Sequence, residues 1–264
     1  MEATLIRGLM SDEEWAFFEP FVTTRGAHSG RRPRDHRLVL DGIFWLGRTG
    51  AQWRDLPDFF GKWSSVYRQF RRWTLSGLWD LLLEALNDTE GVGETVQMID
   101  STIIRAHHCA AGARGGTPSQ GLGRSKGGFT TKIHLRTNGD GLPVAVDISP
   151  GQSSDFNGAI PLMDAAGPEA KVLLADRGYD SDKIRETLEA RDIVPVIPTK
   201  RNRKLQIKID DYIYALRNRI ERCINKLKNS RRLATRYDKT AASYLAFVQI
   251  ASIRLWTRVF VNRS

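Results

Sequence analysis

The chain has 264 residues, 41% of them hydrophobic, with a formal net charge of +10 and a pI near 9.8; that is enough apolar material for one large domain or two smaller ones. Two cysteines far apart, Cys109 and Cys223, exclude a disulfide framework and a structural zinc site built on cysteine, and the longest uncharged run, Thr240 to Ile253, is too short to span a membrane. The surplus of Lys and Arg predicts a polyanionic partner, most often nucleic acid, and it is local: Lys200 to Arg236 holds 13 Lys and Arg against 3 Asp and Glu.

The N-terminus, MEATLIRGLMSDEEW, lacks an apolar core and predicts no signal peptide. With reduced thiols, this points to the cytosol. Residues 1 to about 90 read as helical. Ser11 and Glu14 form a capping box ahead of EEWAFFEPF. A second helix starts near Asp35, with Leu38, Leu40, Ile43, Phe44 and Leu46 inward. A third starts near Ser64 or Ser65, with Val66, Phe70, Trp73 and Leu75 on its buried face and Tyr67, Arg68, Arg71 and Arg72 largely outside. Three short helices with a basic last one resemble a helix-turn-helix module. A plain helical bundle with surface arginines fits equally well; the basic GRRPRDHR at Gly30–Arg37 tips the reading towards DNA.

A polar segment from Asp88 to Glu94 marks a boundary, giving a helical domain over 1–90 and a second domain over 94–264. The pattern then turns strand-like. Val96–Ile104 reads as a buried strand, and the Gly-, Ala- and Ser-rich run from Ala110 to Gly128 as a flexible loop. His107, His108 and Cys109 read as loop residues, since three consecutive residues rarely converge on one metal. Phe129–Thr137 alternates, with Phe129, Thr131, Ile133 and Leu135 on one face and Lys132, His134 and Arg136 on the other. A turn at Asn138–Gly141 leads into Leu142–Pro150, an edge strand by its Pro143. Asp155–Ala166 and Asp182–Ala190 read as helices, and the apolar run ending at Asp176 and Ile193–Pro198 as strands. The basic TKRNRK leads into a long helix carrying Glu221, and Thr240 to Phe260 forms a last helix, partly buried. The order β-β-β-α-β-α-β-α-α predicts an α/β fold: a ribonuclease H-like mixed sheet flanked by helices.

Three carboxylates stand out. Asp100 lies inside an apolar strand, where a carboxylate is costly unless it is paired or metal-bound. Asp176 ends another strand, where sites of open α/β sheets form. On the late helix, Tyr214, Arg217, Glu221 and Lys228 follow the spacing Y-x2-R-x3-E-x6-K, which places all four on one helical face. Each alone has a bland explanation: a turn cap for Asp176, a pairing with Arg217 or Lys228 for Glu221, a buried Arg for Asp100. Together they suit hard divalent cations, which take oxygen ligands; two such ions roughly 3.5–4 Å apart can serve an in-line phosphoryl transfer.

At these residues the chain resembles the DDE transposases of bacterial insertion sequences, in the families numbered four and five. MIDST around Asp100, LLADRGYDS around Asp176 and the Tyr214, Arg217, Glu221, Lys228 signature carry the likeness. TTKIHLRTNGDGLP, SPGQSSD and TGAQWRDLPDFFGKWSSVYRQFRRW extend it over nearly the whole chain. The resemblance implies a recombinase that binds the terminal inverted repeats of its own element, hydrolyses a phosphodiester at each end to leave a 3′-hydroxyl, and joins it to target DNA. Asp100, Asp176 and Glu221 would be the catalytic and metal-binding residues, holding two Mg²⁺ ions with Mn²⁺ as a substitute. Tyr214, Arg217 and Lys228 would contact DNA near the cut, and Arg68, Arg71 and Arg72 would contact the element ends. It further implies a homodimer or larger assembly on DNA, no membrane partner, and work in the bacterial cytoplasm at the nucleoid. His134 reads as structural. Two other readings stay open on the sequence: a metal-dependent nuclease that cuts without joining, and a sequence-specific DNA-binding repressor with structural carboxylates.

Overall fold

Asp12–Val22 forms α1 in the computed structural model, which describes residues 8–22, 35–88, 95–125 and 127–261. Its start is the capping box: Ser11 Oγ accepts from the Glu14 N–H, and the Glu14 carboxylate accepts from the Ser11 N–H, both at 3.1 Å. α2 (His36–Thr49) is capped by Asp35 and stops at Gly50, whose φ of 70° ends the helical path. α3 (Trp63–Leu75) and α4 (Leu78–Asp88) follow. The sequence reading gives three helices here and the described residues hold four α-helices, because Gly77, at φ 74°, breaks the run after Leu75. Leu75 is a second correction. It is 71% exposed, since it lies half a turn away from the buried stripe of Val66, Phe70 and Trp73. In the Gly30–Arg37 stretch, residues up to Arg34 lie outside the described residues, as do residues 89–94 of the expected boundary; Arg37 pairs with Asp12 at 2.6 Å.

The sheet begins with β1 (Val96–Ala106). The run expected to be a flexible loop instead holds a short helix, α5 (Gly116–Ser119), and a short strand, β2 (Gly123–Ser125). The cause is Arg236, wholly buried, which donates to the carbonyls of Gln120 and Gly121 at 2.7 and 3.2 Å and so fixes the run from beneath. β3 (Gly128–Asn138) and β4 (Pro143–Pro150) form the predicted hairpin, with Asn138 Oδ1 accepting from the Asp140 and Leu142 N–H groups in the turn. Then come α6 (Asp155–Asp164), β5 (Val172–Leu174), α7 (Asp182–Glu189) and β6 (Val194–Val196). The single long helix expected next is two, α8 (Asp211–Ala215) and α9 (Asn218–Leu227), because the chain tightens at Leu216 and Arg217 into i→i+3 bonds. α10 (Arg231–Ala234), β7 (Thr235–Arg236) and α11 (Ala241–Val261) complete the chain.

The strands lie in the order β4, β3, β1, β5, β6. β4, β3 and β1 pair antiparallel, whereas β5 and β6 run parallel to β1. β2 adds to β3, and β7 to β1. This is the ribonuclease H-like mixed sheet that the element order predicts, with β4 at the edge as Pro143 requires. One face packs on α9 and α11 through Met98, Ile133, Ile220, Ile224 and Val248. The other packs under α6 and α7 through Ile99, Ala159, Leu162 and Ile184. α11 has two apolar faces because it serves two cores. Tyr244 and Val248 meet the sheet, while Phe247, Ile250 and Trp256 complete the core of α1–α4.

The Lys132, His134 and Arg136 face of β3, which reads as polar, is buried beneath α6. Each side chain finds polar atoms there: Lys132 the Asp155 carboxylate, His134 the Ser149 hydroxyl, Arg136 the carbonyls of Ala165 and Ala166. His134 is thus structural in its packing. Gly158 of α6 lies directly on the His134 ring, and a Cβ there would overlap it. Because His134 is fully buried and cannot swing away, Gly158→Ala is expected to destabilise the fold by about 1–3 kcal/mol, read from a denaturant titration; an unchanged midpoint would mean that α6 shifts freely on the sheet.

Candidate active site

The register of β1 and β5 places two carboxylates side by side. Met98 pairs with Leu174 in parallel, so two residues further along each strand direction Asp100 comes beside Asp176. Asp100 faces α9. Its Oδ1 accepts from the Ser101 N–H at 2.7 Å and its Oδ2 from Arg217 Nη1 at 3.0 Å. Asp176 Oδ1 caps the turn that follows β5, accepting from the Gly178 N–H at 2.8 Å.

The apolar stripe Ile220, Cys223, Ile224 and Leu227 seats α9 on the sheet and fixes its rotation. That rotation brings Arg217 and Glu221 over Asp100. The Arg217 guanidinium bridges Asp100 and Glu221, donating to both. Tyr214 lies half-buried with Arg217 over its ring, 5.9 Å from the centroid. Lys228, at the far end of α9, is half-buried and two turns from Glu221. The structure thus gathers Asp100, Asp176, Arg217, Glu221 and Tyr214, with Lys228 further along the same helix.

Arg68, Arg71 and Arg72 lie elsewhere, on α3. Arg68 and Arg72 are exposed. Arg71 is half-buried and donates to Ser243 Oγ at 3.0 Å, which ties it to α11. Within the basic segment, Arg232 and Arg236 are buried, and Arg203 pairs with Asp180 and Asp182; these three arginines serve the fold.

The electrostatics follow from burial. Loss of water pushes the Asp100 carboxyl above the usual range; the Ser101 N–H and Arg217 draw it down, and neighbouring Asp176 pushes it up. Burial works against the charge on Arg217, but Asp100, Tyr214, Glu221 and Asp176 outweigh it and raise its pKa. Arg217 therefore acts as the counter-ion of a carboxylate group. Removing it with Arg217→Ala is expected to move the Asp100 titration midpoint further up in metal-free protein, because the charged form loses its cationic partner. A ¹³C-detected titration of the Asp100 carboxyl checks this; a midpoint that stays or falls would mean that Arg217 does not hold Asp100.

The donor set is all oxygen, which suits a hard divalent cation. Among the described residues no three carboxylate, His or Cys side chains stand at metal-ligand spacing, and the reason is visible: Arg217 fills the space between Asp100 and Glu221 with its own positive charge. The residues fit such a cation in chemistry once the guanidinium withdraws.

Sequence reading missed four neighbours: Ser101, Lys132, Asp155 and Tyr179. Asp155, at the start of α6, accepts from the Ser101 hydroxyl at 2.5 Å and from Lys132 Nζ at 2.8 Å. Tyr179 is buried beside Asp155, Asp100 and Asp176, and that burial raises its pKa. The motifs SPGQSSD and LLADRGYDS contain Asp155 and Tyr179, but only the tertiary fold brings them to Asp100.

Comparison with known proteins bears on the family and the fold. A family model described as "Transposase DDE domain" matches residues 92–256, and one described as "Putative transposase of IS4/5 family" matches residues 10–83. The "Uncharacterized protein y4sN" of Sinorhizobium fredii (strain NBRC 101917 / NGR234) is 40% identical over 124 residues, 45% of this chain and 86% of that protein. The "Putative transposase for insertion sequence element IS6501" of Brucella ovis (strain ATCC 25840 / 63/290 / NCTC 10512) is 34% identical over 134 residues, 49% of this chain and 100% of that protein. A solved structure, "Cryo-EM structure of piggyBac transposase synaptic complex with hairpin DNA (SNHP)", aligns with 95% of this chain and 72% of its own at a TM-score of 0.50 and 13% identity, a likeness of fold. Among the described residues no helix is long and apolar enough to cross a membrane.

Proposed function

The chain belongs to the DDE-domain transposases of insertion sequences, and on that premise we propose that it cuts DNA at the ends of its own element and joins those ends to target DNA. The observation that carries this reading is the register that sets Asp100 beside Asp176, with Glu221 reaching the same place through Arg217. In this proposal Asp100, Asp176 and Glu221 are the catalytic carboxylates, and they would hold two Mg²⁺ ions, with Mn²⁺ as a substitute. Divalent cations held there would neutralise charge on the phosphodiester and favour in-line displacement.

The chain's own residues supply the rest. Asp100, anchored on the central strand, gives the site its fixed point. Arg217 pairs with both Asp100 and Glu221 in the DNA-free fold and would hold a DNA phosphate in the complex. Lys228 holds the backbone further along α9, and Tyr214 packs near the cut strand. Residues 94–264 would carry the chemistry and residues 1–90 the recognition of the terminal inverted repeats. Two ends require two sites, so the working unit would be a homodimer or larger assembly on DNA, at the nucleoid in the cytoplasm.

On α3, Arg68 and Arg72 are exposed and suited to phosphate contacts, with Arg71 as a support that must leave Ser243 to join them. Replacing Arg68 and Arg72 by Glu is expected to weaken end binding and to flatten its salt dependence, by about one unit of log–log slope for each phosphate no longer held. Equal affinity and equal slope in a filter-binding series would move recognition off α3. The function is tested by incubating the protein with a fragment carrying its element's ends and Mg²⁺. Nicks that leave 3′-hydroxyls and vanish with chelator are expected; binding without nicks would favour a DNA-binding protein.

A further inference from the structure

Asp155 stands one position outside the three carboxylates already described. Its Oδ1 is fixed twice, by the Ser101 hydroxyl at 2.5 Å and by Lys132 Nζ at 2.8 Å, and Lys132 is itself anchored on the Ser153 carbonyl at 2.6 Å. Ser101 is the residue whose N–H holds Asp100. The other oxygen, Oδ2, faces Gly178 from one side while Asp176 Oδ1 faces it from the same quarter: a Cβ on Gly178 would lie 3.4 Å from the first and 2.8 Å from the second. The bare glycine lets both carboxylates share that space. A separate observation points to a ligand. Tyr179 is 1% exposed, its hydroxyl has only a loose hydrogen-bond partner in Ser101, short of ordinary geometry, and its other electrostatic neighbours are Asp155, Asp100 and Asp176. A buried hydroxyl held this loosely is costly, and a polar group entering between these carboxylates would hold it better.

We propose that Asp155 and the Tyr179 hydroxyl are positioning residues of this site: Asp155 links Lys132 and Ser101 to the Asp100 segment and sets the Asp176 side for a divalent cation, and the Tyr179 hydroxyl braces Ser101 beside those carboxylates. Neither needs to touch the ion. Both act through residues that the proposed function assigns to it, so this inference rests on that reading. A built outer layer of this kind tunes the affinity of the inner one.

The test is Mn²⁺ binding to the DNA-free protein, followed by the electron paramagnetic resonance signal of free Mn²⁺, with melting of the metal-free protein alongside. Asp155→Asn is close to isosteric and is expected to bind Mn²⁺ about 10- to 100-fold more weakly than wild type. Tyr179→Phe removes only the hydroxyl and is expected to keep the metal-free melting temperature while also losing affinity. If Asp155→Asn fails to fold, Tyr179→Phe decides: wild-type affinity there overturns the proposal. Wild-type affinity in a folded Asp155→Asn, with Asp100→Ala devoid of binding in the same assay, overturns this proposal and leaves the three-carboxylate reading standing. A wild-type protein that takes up no Mn²⁺ overturns both.

Discussion

Asp100→Ala is expected to cut end cleavage by about 10³-fold or more while leaving end binding near the wild-type level. The size follows from position. Asp100 is on the central strand, between β3 and β5, and meets both other carboxylates: Asp176 through the strand register and Glu221 through Arg217. Removing it takes away the rigid ligand and leaves Arg217 paired with Glu221 alone. Asp176→Ala and Glu221→Ala should act in the same direction. Binding should survive because the exposed arginines sit on α3, outside this site, and are untouched. Single-turnover cleavage with a parallel gel-shift measures both quantities. A variant that cleaves within a few-fold of wild type would remove that residue from the site.

The largest effect on stability is expected from Asp238→Ala. Asp238 receives two bonds from Arg232, at 3.2 and 2.8 Å, and both side chains are buried. Arg232 also donates to the Ala51 carbonyl at 2.8 Å and lies over the Phe247 ring, 4.5 Å from its centroid. It therefore ties the end of α2 to α10 and α11. Truncating Asp238 leaves a guanidinium buried without its anion, which costs about 3–5 kcal/mol. The paired replacement Arg232→Met with Asp238→Leu should recover much of that loss, because no charge is then stranded. Urea titrations of the three proteins check this; an Asp238→Ala protein as stable as wild type would mean that water reaches Arg232.

Several features of the fold and site are legible in the sequence because burial leaves a mark in composition. A lone Asp in Val96–Ile104 is conspicuous for what it costs, and the β-strand alternation and Asn138–Gly141 turn place the hairpin correctly. The grouping of Tyr214, Arg217 and Glu221 is also readable, since across the tightening at Leu216 the Arg217 side chain still lies over the Tyr214 ring and still reaches Glu221. What the chain order hides is long-range. Nothing near Asp155 shows that α6 lies against the Ser101 face of β1, so it reads as a helix start. Lys132 and Arg136 read as solvent-facing until α6 covers them. The Gly-rich run reads as loose because the residue that organises it, Arg236, is far away along the chain. Arg217 reads as a DNA contact, whereas in the DNA-free fold it is turned inward onto Asp100 and Glu221.

The most direct measurement of the central claim is joining itself. Purified protein, Mg²⁺, a fragment with the element's pre-cut ends and a supercoiled target plasmid are incubated, and junctions are sequenced. The account predicts joined molecules with element 3′-ends linked to target strands, lost with chelator and absent with Asp100→Ala although that variant still shifts the end fragment. Cleaved ends with no junctions at any target concentration would contradict it and leave a nuclease that cuts without joining.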